Sequence, residues 1–380
     1  MEHTVSSPVI PPHLLPADGR FGAGPSKVRA ESIAQIGACG LMGTSHRQAP
    51  VRSLVAQIRE MVRDLFALPA DYEVVLGNGG ATAFWAVACT SLIRRRSVFA
   101  TFGEFGFKFY DEARRTPFLD VPARFDAPAG QLATVEPVEG ADVYAWPHHE
   151  TSTGVLAPVR RPVGAEGALV LVDATSVAGA VVVDVGQTDA YYFSPQKAFG
   201  SDGGLWVAAL SPAAIERAAQ LERLTDRWMP QFLNLNLAVR NARKDQTVNT
   251  PALATLVMLH AQLEWMLDAG GLQACFQRVK TSTDAIYEWA QNRPFTTPFV
   301  ADEALRSPVV ATIDFEGVDA AQVARVLRAN GVVDVEPYRK LGRNQLRIST
   351  FPAVDPADVT ALLKCIDWVV DNVSSTRAGQ

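Results

Sequence analysis

Apolar and polar residues along the first two thirds of the chain follow two alternating spacings. Residues 51–66 place apolar side chains at helical spacing, which predicts an amphipathic helix. Short runs rich in valine and aromatic residues are separated by helical stretches and predict strands. These runs are Glu73–Leu76, Ser97–Phe102, Asp142–Trp146, Ala168–Val172, Val181–Val183, Ala190–Phe193 and Leu205–Ala209. Such alternation predicts an α/β fold whose mostly parallel sheet is covered by helices on both faces.

The last third of the chain predicts a smaller α/β unit. Thr250 is a plausible N-cap with Pro251 at the first helical position, and a long helix from there to about Ala269 would end at Gly270. The elements predicted next are a helix (Leu272–Asn292), a strand (Val309–Phe315), a helix (Ala320–Ala329), a strand (Leu346–Thr350) and a helix (Pro356–Val373). We therefore expect a large domain over 19–268 and a small C-terminal domain over 269–373. A proline-rich extended arm (1–18) and a polar flexible tail (374–380) would flank them.

Composition and charge narrow the function classes. The 380 residues include 35 lysines and arginines against 40 acidic residues, a net charge of −5 that disfavours sequence-blind nucleic-acid binding. No apolar run is long enough to span a membrane, and the N-terminus does not resemble a secretory signal. The four cysteines form no C-x-x-C pair and the histidines have no ligand spacing, so we expect no metal site and a cytoplasmic location.

Three features at predicted strand ends could perform chemistry. The turn over residues 77–82 separates a strand from a helix, where glycines and free helix N–H groups favour a bound phosphate. Asp173 ends an apolar strand, and Lys197 follows an aromatic one, where burial would favour its neutral, nucleophilic form. Each feature alone also fits a structural role, as a tight turn, a helix cap or a solvated lysine. Together they supply what pyridoxal phosphate needs, namely an amine, an acid for the ring nitrogen and an anion cradle.

Five short motifs then make the chain resemble the phosphoserine aminotransferases over about residues 20–373. The motifs are Gly-Asn-Gly-Gly-Ala-Thr (77–82), His-Glu-Thr-Ser-Thr-Gly (149–154), Asp-Ala-Thr-Ser (173–176), Ser-Pro-Gln-Lys (194–197) and Asn-Thr-Pro-Ala (249–252). That family belongs to the fold-type I aminotransferases, which use pyridoxal phosphate. The resemblance implies a large domain with a mostly parallel seven-stranded sheet between helices, plus a smaller C-terminal α/β domain.

The resemblance also implies the cofactor contacts. Lys197 would bond the cofactor covalently, and Asp173 would pair with its ring nitrogen. The other implied contacts are Ala81, Thr82 and Gln196 at the phosphate, Thr151 at the ring oxygen, Phe105 against the ring face, and Asn249 and Thr250 at the phosphate of a neighbouring subunit. The last pair implies a homodimer with shared active sites. Many family members have Arg in place of Thr82, Trp in place of Phe105 and Asn in place of His149.

The implied substrates are small dianions, which require separated cations. By resemblance, Arg47 with His46 beside it would take a phosphate or distal carboxylate, and Arg347 would take the α-carboxylate. Arg339 is a second candidate for the phosphate. For each arginine the alternative is an ordinary surface ion pair.

The implied reaction is transamination from L-glutamate to 3-phosphohydroxypyruvate, giving O-phospho-L-serine and 2-oxoglutarate. The phosphorylated four-carbon oxo acid of pyridoxine biosynthesis would be a further substrate. One alternative is an alanine–glyoxylate or serine–pyruvate aminotransferase on the same fold, which would leave His46 and Arg47 without a function. A second alternative is a non-catalytic protein that binds pyridoxal phosphate.

Overall fold

The computed structural model describes residues 8–374. Its helices are α1 (Ala30–Ala38), α2 (Ala49–Leu65), α3 (Gly80–Ser91), α4 (Glu104–Arg115), α5 (Pro212–Glu222), α6 (Leu235–Ala242), α7 (Leu253–Asp268), α8 (Gly271–Gln291), α9 (Ala320–Ala329) and α10 (Pro356–Ser374). Its strands are β1 (Glu73–Asn78), β2 (Ser97–Thr101), β3 (Ala123–Asp126), β4 (Val143–Pro147), β5 (His149–Glu150), β6 (Val155–Leu156), β7 (Leu169–Asp173), β8 (Ala190–Phe193), β9 (Leu205–Leu210), β10 (Thr296–Pro298), β11 (Val310–Phe315) and β12 (Gln345–Ser349). No helix within the described range combines the length and apolar character that crossing a bilayer requires.

A seven-stranded sheet forms the centre of the molecule, with strand order β1-β9-β8-β7-β4-β2-β3. Only β9 runs antiparallel to its neighbours, so six strands share one direction and end at the same edge. The predicted mostly parallel sheet is thus confirmed. Because parallel strands are covered on both faces, they are apolar throughout, which is why β7 has the sequence Leu-Val-Leu-Val-Asp.

Alternate residues of each strand enter two different cores. Val170 of β7 packs in the core that includes residues of α2 and α7, whereas Leu171 packs in the core that includes residues of α3, α5 and α6. This alternation is the period of two expected of a strand. The helices on both faces thereby fix the strand ends on which the chemistry depends.

A second, three-stranded antiparallel sheet has the order β10-β11-β12, and α8, α9 and α10 contribute to its core. Part of the predicted N-terminal arm joins this core: Ile10 is 1% exposed, and its backbone N–H donates to Asn330 Oδ1 at 2.9 Å. Residues 12–14 form a single 3₁₀ turn. Residues 1–7 of that arm, and residues 375–380 of the predicted tail, lie outside the described residues.

Two sequence predictions about elements are wrong. Val181–Val183 forms no strand and has no partner strand among the described residues; Val182 is exposed there. The helix predicted from Pro251 begins at Leu253, with Ala252 as N-cap instead of Thr250. The reason is a long-range contact, because the side chain of Asn78 donates to Asn249 Oδ1 at 2.7 Å and to the Thr250 carbonyl at 2.8 Å, and holds this segment outside the helix.

Replacing Ile10 tests the packing of the N-terminal segment. Because Ile10→Ala leaves a cavity in an apolar core, we expect it to lower the free energy of unfolding by about 2–5 kcal/mol. The matched control is Val9→Ala, since Val9 is 77% exposed, and its effect should stay within about 0.5 kcal/mol. Urea unfolding followed by circular dichroism measures both. Equal, small effects of the two substitutions would contradict the packing described.

Candidate active site

A cavity of about 380 Å³ opens where β1, β7 and β8 end, at the carboxyl edge of the central sheet. Ligands of α/β sheets usually bind at this edge. Seven residues expected to contact the cofactor line the cavity together: Ala81, Thr82, Phe105, Thr151, Asp173, Gln196 and Lys197. They come from five separate segments of the chain, so the fold itself assembles the cluster.

Lys197 lies under the segment that contains Ala23 and Gly24. Its amine donates to the Ala23 carbonyl, and a side chain at position 24 would displace the amine from this position. Gly24 also has φ of 156°, which favours glycine. Burial lowers the pKa of Lys197 to about 7; the positive charge of Arg347 lowers it too, while Asp173 opposes the shift. A large fraction of the amine is therefore an uncharged nucleophile at neutral pH.

Asp173, at the end of β7, is held by three donors. Its Oδ1 accepts hydrogen bonds from the Thr175 backbone N–H at 3.0 Å and from the Thr175 hydroxyl at 2.5 Å. Its Oδ2 accepts one from the Trp85 indole N–H at 2.9 Å. Burial raises the pKa of Asp173, and these donors oppose the rise. A cationic group bound beside the carboxylate would favour its charged form further.

The first turn of α3 forms a cradle for an anion. Gly79 precedes the helix with φ of 103°, a left-handed conformation that favours glycine, and Ala81 and Thr82 follow it along the cavity wall. The free N–H groups of a helix N-terminus attract phosphate. Among the described residues lining the cavity, Lys197 is the only lysine or arginine, so N–H groups and hydroxyls would dominate phosphate binding within one chain.

Glu150 positions the aromatic wall of the cavity. Its fully buried carboxylate accepts hydrogen bonds from the backbone N–H groups of Phe105 at 3.0 Å and Gly106 at 3.1 Å. This caps the N-terminus of α4 and fixes the backbone of Phe105, whose ring would cover a bound aromatic cofactor. A side chain at Gly103 would collide with Glu150, so the cap depends on that glycine.

Arg347, on β12, connects the small sheet to the site. One guanidinium nitrogen donates to the Thr151 carbonyl at 3.3 Å, and the guanidinium lies 5.5 Å from the centre of the Tyr338 ring. Its Nε is buried and has no hydrogen-bond partner within residues 8–374. Arg347 does not line the cavity itself, but its charge acts on Lys197. A substrate carboxylate would satisfy the unpaired donor.

The other expected substrate and phosphate contacts lie outside the lining of this cavity. Arg47 is exposed and donates to Gln246 Oε1 at 3.3 Å, and Arg339 is exposed on a 3₁₀ turn. His46 Nδ1 lies 3.3 Å from the Thr250 hydroxyl. The structure thus places His46 beside Thr250. Neither His46 nor Arg47 lines the cavity that contains Lys197.

Asn249 and Thr250 nevertheless lie close to the anion cradle. Asn78, which bonds both, ends β1 directly before Gly79. Farther along the same loop, Ala252 lies against Gly204, another residue of the cavity lining. The 249–252 segment therefore borders the mouth of the cavity without lining it.

The residues present fit pyridoxal phosphate. The site offers a buried amine, a buried carboxylate and a helix N-terminus around one cavity. Gln196 Oε1 is buried in the cavity wall and has no hydrogen-bond partner within residues 8–374. Lys197 would hold the cofactor, Asp173 would pair with its ring nitrogen, and the first turn of α3 would take its phosphate.

Sequence reasoning missed several residues of the site. Trp85 packs in the core, lines the cavity and bonds Asp173. Gly24 and Pro25 line the cavity although they lie far from Lys197 in sequence. The apolar helix face around Trp85 and the short 24–25 segment show no local pattern that could reveal these contacts.

Comparisons with known proteins identify the family of this chain. The profile of the family described as aminotransferase class-V matches residues 134–335. The phosphoserine aminotransferase of Rhodococcus jostii is 54% identical over 97% of this chain and 99% of the relative, and that of a Nocardioides species is 55% identical over 96% and 98%. The crystal structure of a phosphoserine aminotransferase from Cytophaga hutchinsonii superposes with a TM-score of 0.84 over 92% of this chain and 99% of that one, at 21% identity. This chain therefore belongs to the class-V aminotransferases and, within them, to the phosphoserine aminotransferase family.

Proposed function

We propose that this protein transfers the amino group of L-glutamate to 3-phosphohydroxypyruvate, giving O-phospho-L-serine and 2-oxoglutarate, with pyridoxal phosphate as its cofactor. The observation that supports this best is the buried amine of Lys197 in one cavity with the carboxylate of Asp173. The substrate assignment rests on relatives named phosphoserine aminotransferases that are 54–55% identical over nearly the whole chain.

The residues in and beside the cavity have separate roles in the reaction. Bound pyridoxal phosphate supplies an electron sink for the substrate carbon that loses its proton. Asp173 would pair with the ring nitrogen, and the hydrogen bonds from Thr175 and Trp85 favour its anionic form. Lys197, whose pKa burial lowers to about 7, accepts the substrate proton at Nζ and returns it later. Arg347 takes the carboxylate that all substrates share, because its Nε is an unpaired donor near Lys197.

We also propose a homodimer in which active sites are shared between subunits. His46 and Arg47 lie outside the cavity of their own chain, and Arg47 is exposed. In a dimer Arg47, with His46 beside it, would reach the cavity of the second subunit and bind the substrate phosphate there. Asn249 and Thr250 would contribute to the second subunit's cofactor phosphate in the same way, and would add hydrogen-bond donors to a phosphate site in which Thr82 is uncharged.

Two finer assignments complete the proposal. The phosphorylated four-carbon oxo acid of pyridoxine biosynthesis has the same carboxylate and phosphate, so the same cations would bind it. The protein would act in the cytoplasm in serine biosynthesis.

A coupled assay tests the proposed reaction directly. Purified protein incubated with O-phospho-L-serine and 2-oxoglutarate should form glutamate, whereas the Lys197→Ala variant should form none above background. Parallel reactions with alanine and glyoxylate or with serine and pyruvate should be far slower. A protein whose bound-cofactor absorption is unchanged by glutamate would be a non-catalytic binder, and that result would contradict the proposal.

The pKa of Lys197 predicts how cofactor capture depends on pH. Since only the neutral amine reacts, the capture rate of the apoprotein should rise as pH passes through about 7 and level off above it. Arg347→Gln removes a positive charge that lowers this pKa, so its curve should shift to higher pH. Stopped-flow absorbance measures both curves. A rate that rises only near pH 10, as expected of a solvated lysine, would contradict a buried amine.

Arg47→Ala tests the assignment of the substrate phosphate. We expect kcat/KM for 3-phosphohydroxypyruvate to fall roughly 10–100-fold, the loss of one charge-assisted hydrogen bond, and kcat/KM for hydroxypyruvate to change much less. Arg52→Ala is a matched control, because Arg52 is an exposed arginine nearby that donates to the Lys244 carbonyl at 3.0 Å. Equal losses on the two oxo acids would rule out Arg47 as the phosphate contact.

A further inference from the structure

His149 is a buried wall residue of the cavity that the proposed reaction does not use. It lies on β5, is 3% exposed and lines the cavity with Lys197. Its Nδ1 lies 2.7 Å from the Ser176 hydroxyl. Its other ring nitrogen, Nε2, is buried and has no hydrogen-bond partner within residues 8–374. A buried polar atom without a partner is costly, so its presence beside a ligand cavity calls for an explanation.

The preceding residue, His148, provides a contrast within the same chain. It is 4% exposed, and its Nδ1 lies 3.1 Å from the Tyr191 hydroxyl. His148 is not among the residues that line the cavity. Two adjacent histidines therefore have similar burial and a similar hydroxyl partner, and only His149 faces the site.

Hydrogen-bond geometry indicates which ring nitrogen of His149 carries the proton and can donate it to a ligand. Burial lowers the pKa of its imidazole to about 3, and positive charge on Lys197 and Arg347 acts in the same direction, so the ring is neutral. The single hydroxyl proton of Ser176 can go to His149 Nδ1 at 2.7 Å or to the His149 carbonyl at 3.3 Å. The shorter contact favours donation to Nδ1, and Nε2 then carries the ring proton as a donor.

We propose that His149 is a further binding residue of the cavity, held by Ser176, whose Nε2–H donates to an anionic oxygen that enters the site. That oxygen belongs to the cofactor ring or to the carboxylate of the substrate, and both would satisfy the unpaired nitrogen. Arg347, whose positive charge acts on His149, would attract the same oxygen. The inference rests on pyridoxal phosphate being the cofactor; binding of the cofactor by the unsubstituted protein checks that separately.

The test compares His149→Leu with the matched control His148→Leu. A third variant, His149→Asn, restores an N–H donor at position 149. Two quantities are measured by absorbance: the dissociation constant of pyridoxal phosphate from the apoprotein, and the glutamate concentration that half-converts the bound-cofactor band. His149→Leu should raise one of them about tenfold, and His149→Asn should recover to within about threefold of the unsubstituted protein. A higher dissociation constant for pyridoxal phosphate assigns the oxygen to the cofactor. A higher half-converting glutamate concentration alone assigns the oxygen to the substrate.

His148→Leu should change thermal stability without moving either quantity. The proposal is overturned if His149→Leu leaves both quantities within about twofold of the unsubstituted protein, or if His148→Leu changes them equally. If the leucine variants do not fold, ¹⁵N-histidine spectra of the unsubstituted protein decide. The His149 Nε2 signal is assigned by its absence from the spectrum of His149→Asn. It should shift when pyridoxal phosphate is added, or when glutamate is added afterwards, whereas the His148 signals should not shift. No shift at His149 in either step would overturn the proposal.

Discussion

The structure depends on keeping one lysine amine out of water at the carboxyl edge of a parallel sheet. Lys197 lies beneath the Ala23–Gly24 segment, and this burial lowers its pKa to about 7. An amine in bulk water would be almost fully charged at neutral pH and unable to act as a nucleophile or a base. The two cores that cover the sheet matter for function because they fix the strand ends around this amine.

The charges around the amine are balanced by elements from both sheets. Asp173 ends a strand of the central sheet, whereas Arg347 lies on the small sheet and reaches the site through Thr151. Glu150 is equally buried but is used to cap α4, which leaves Asp173 as the carboxylate that faces the cavity. A small movement of β12 would therefore change the basicity of Lys197, because the charge of Arg347 acts on it.

Local pattern was enough to predict the features that depend on local sequence. Apolar runs and their spacing predicted β7, which ends at Asp173, and β8, which ends shortly before Lys197. They therefore also predicted the edge of the sheet at which the site lies. The start of α7 could not be predicted, because Asn78 holds Asn249 and Thr250 outside the helix from 171 and 172 residues away. The contact of Trp85 with Asp173 was missed for the same reason, since a helical apolar face does not reveal one polar bond across the core.

Borohydride reduction of the protein with bound pyridoxal phosphate, followed by peptide mass mapping, marks the amine that holds the cofactor. We expect one labelled peptide, which contains Lys197. Lys27 is the informative alternative, since it is a partly buried lysine in the segment that follows Gly24 and is paired with Asp18 at 3.2 Å. A label on Lys27, on any other lysine, or on none would show that Lys197 does not hold the cofactor.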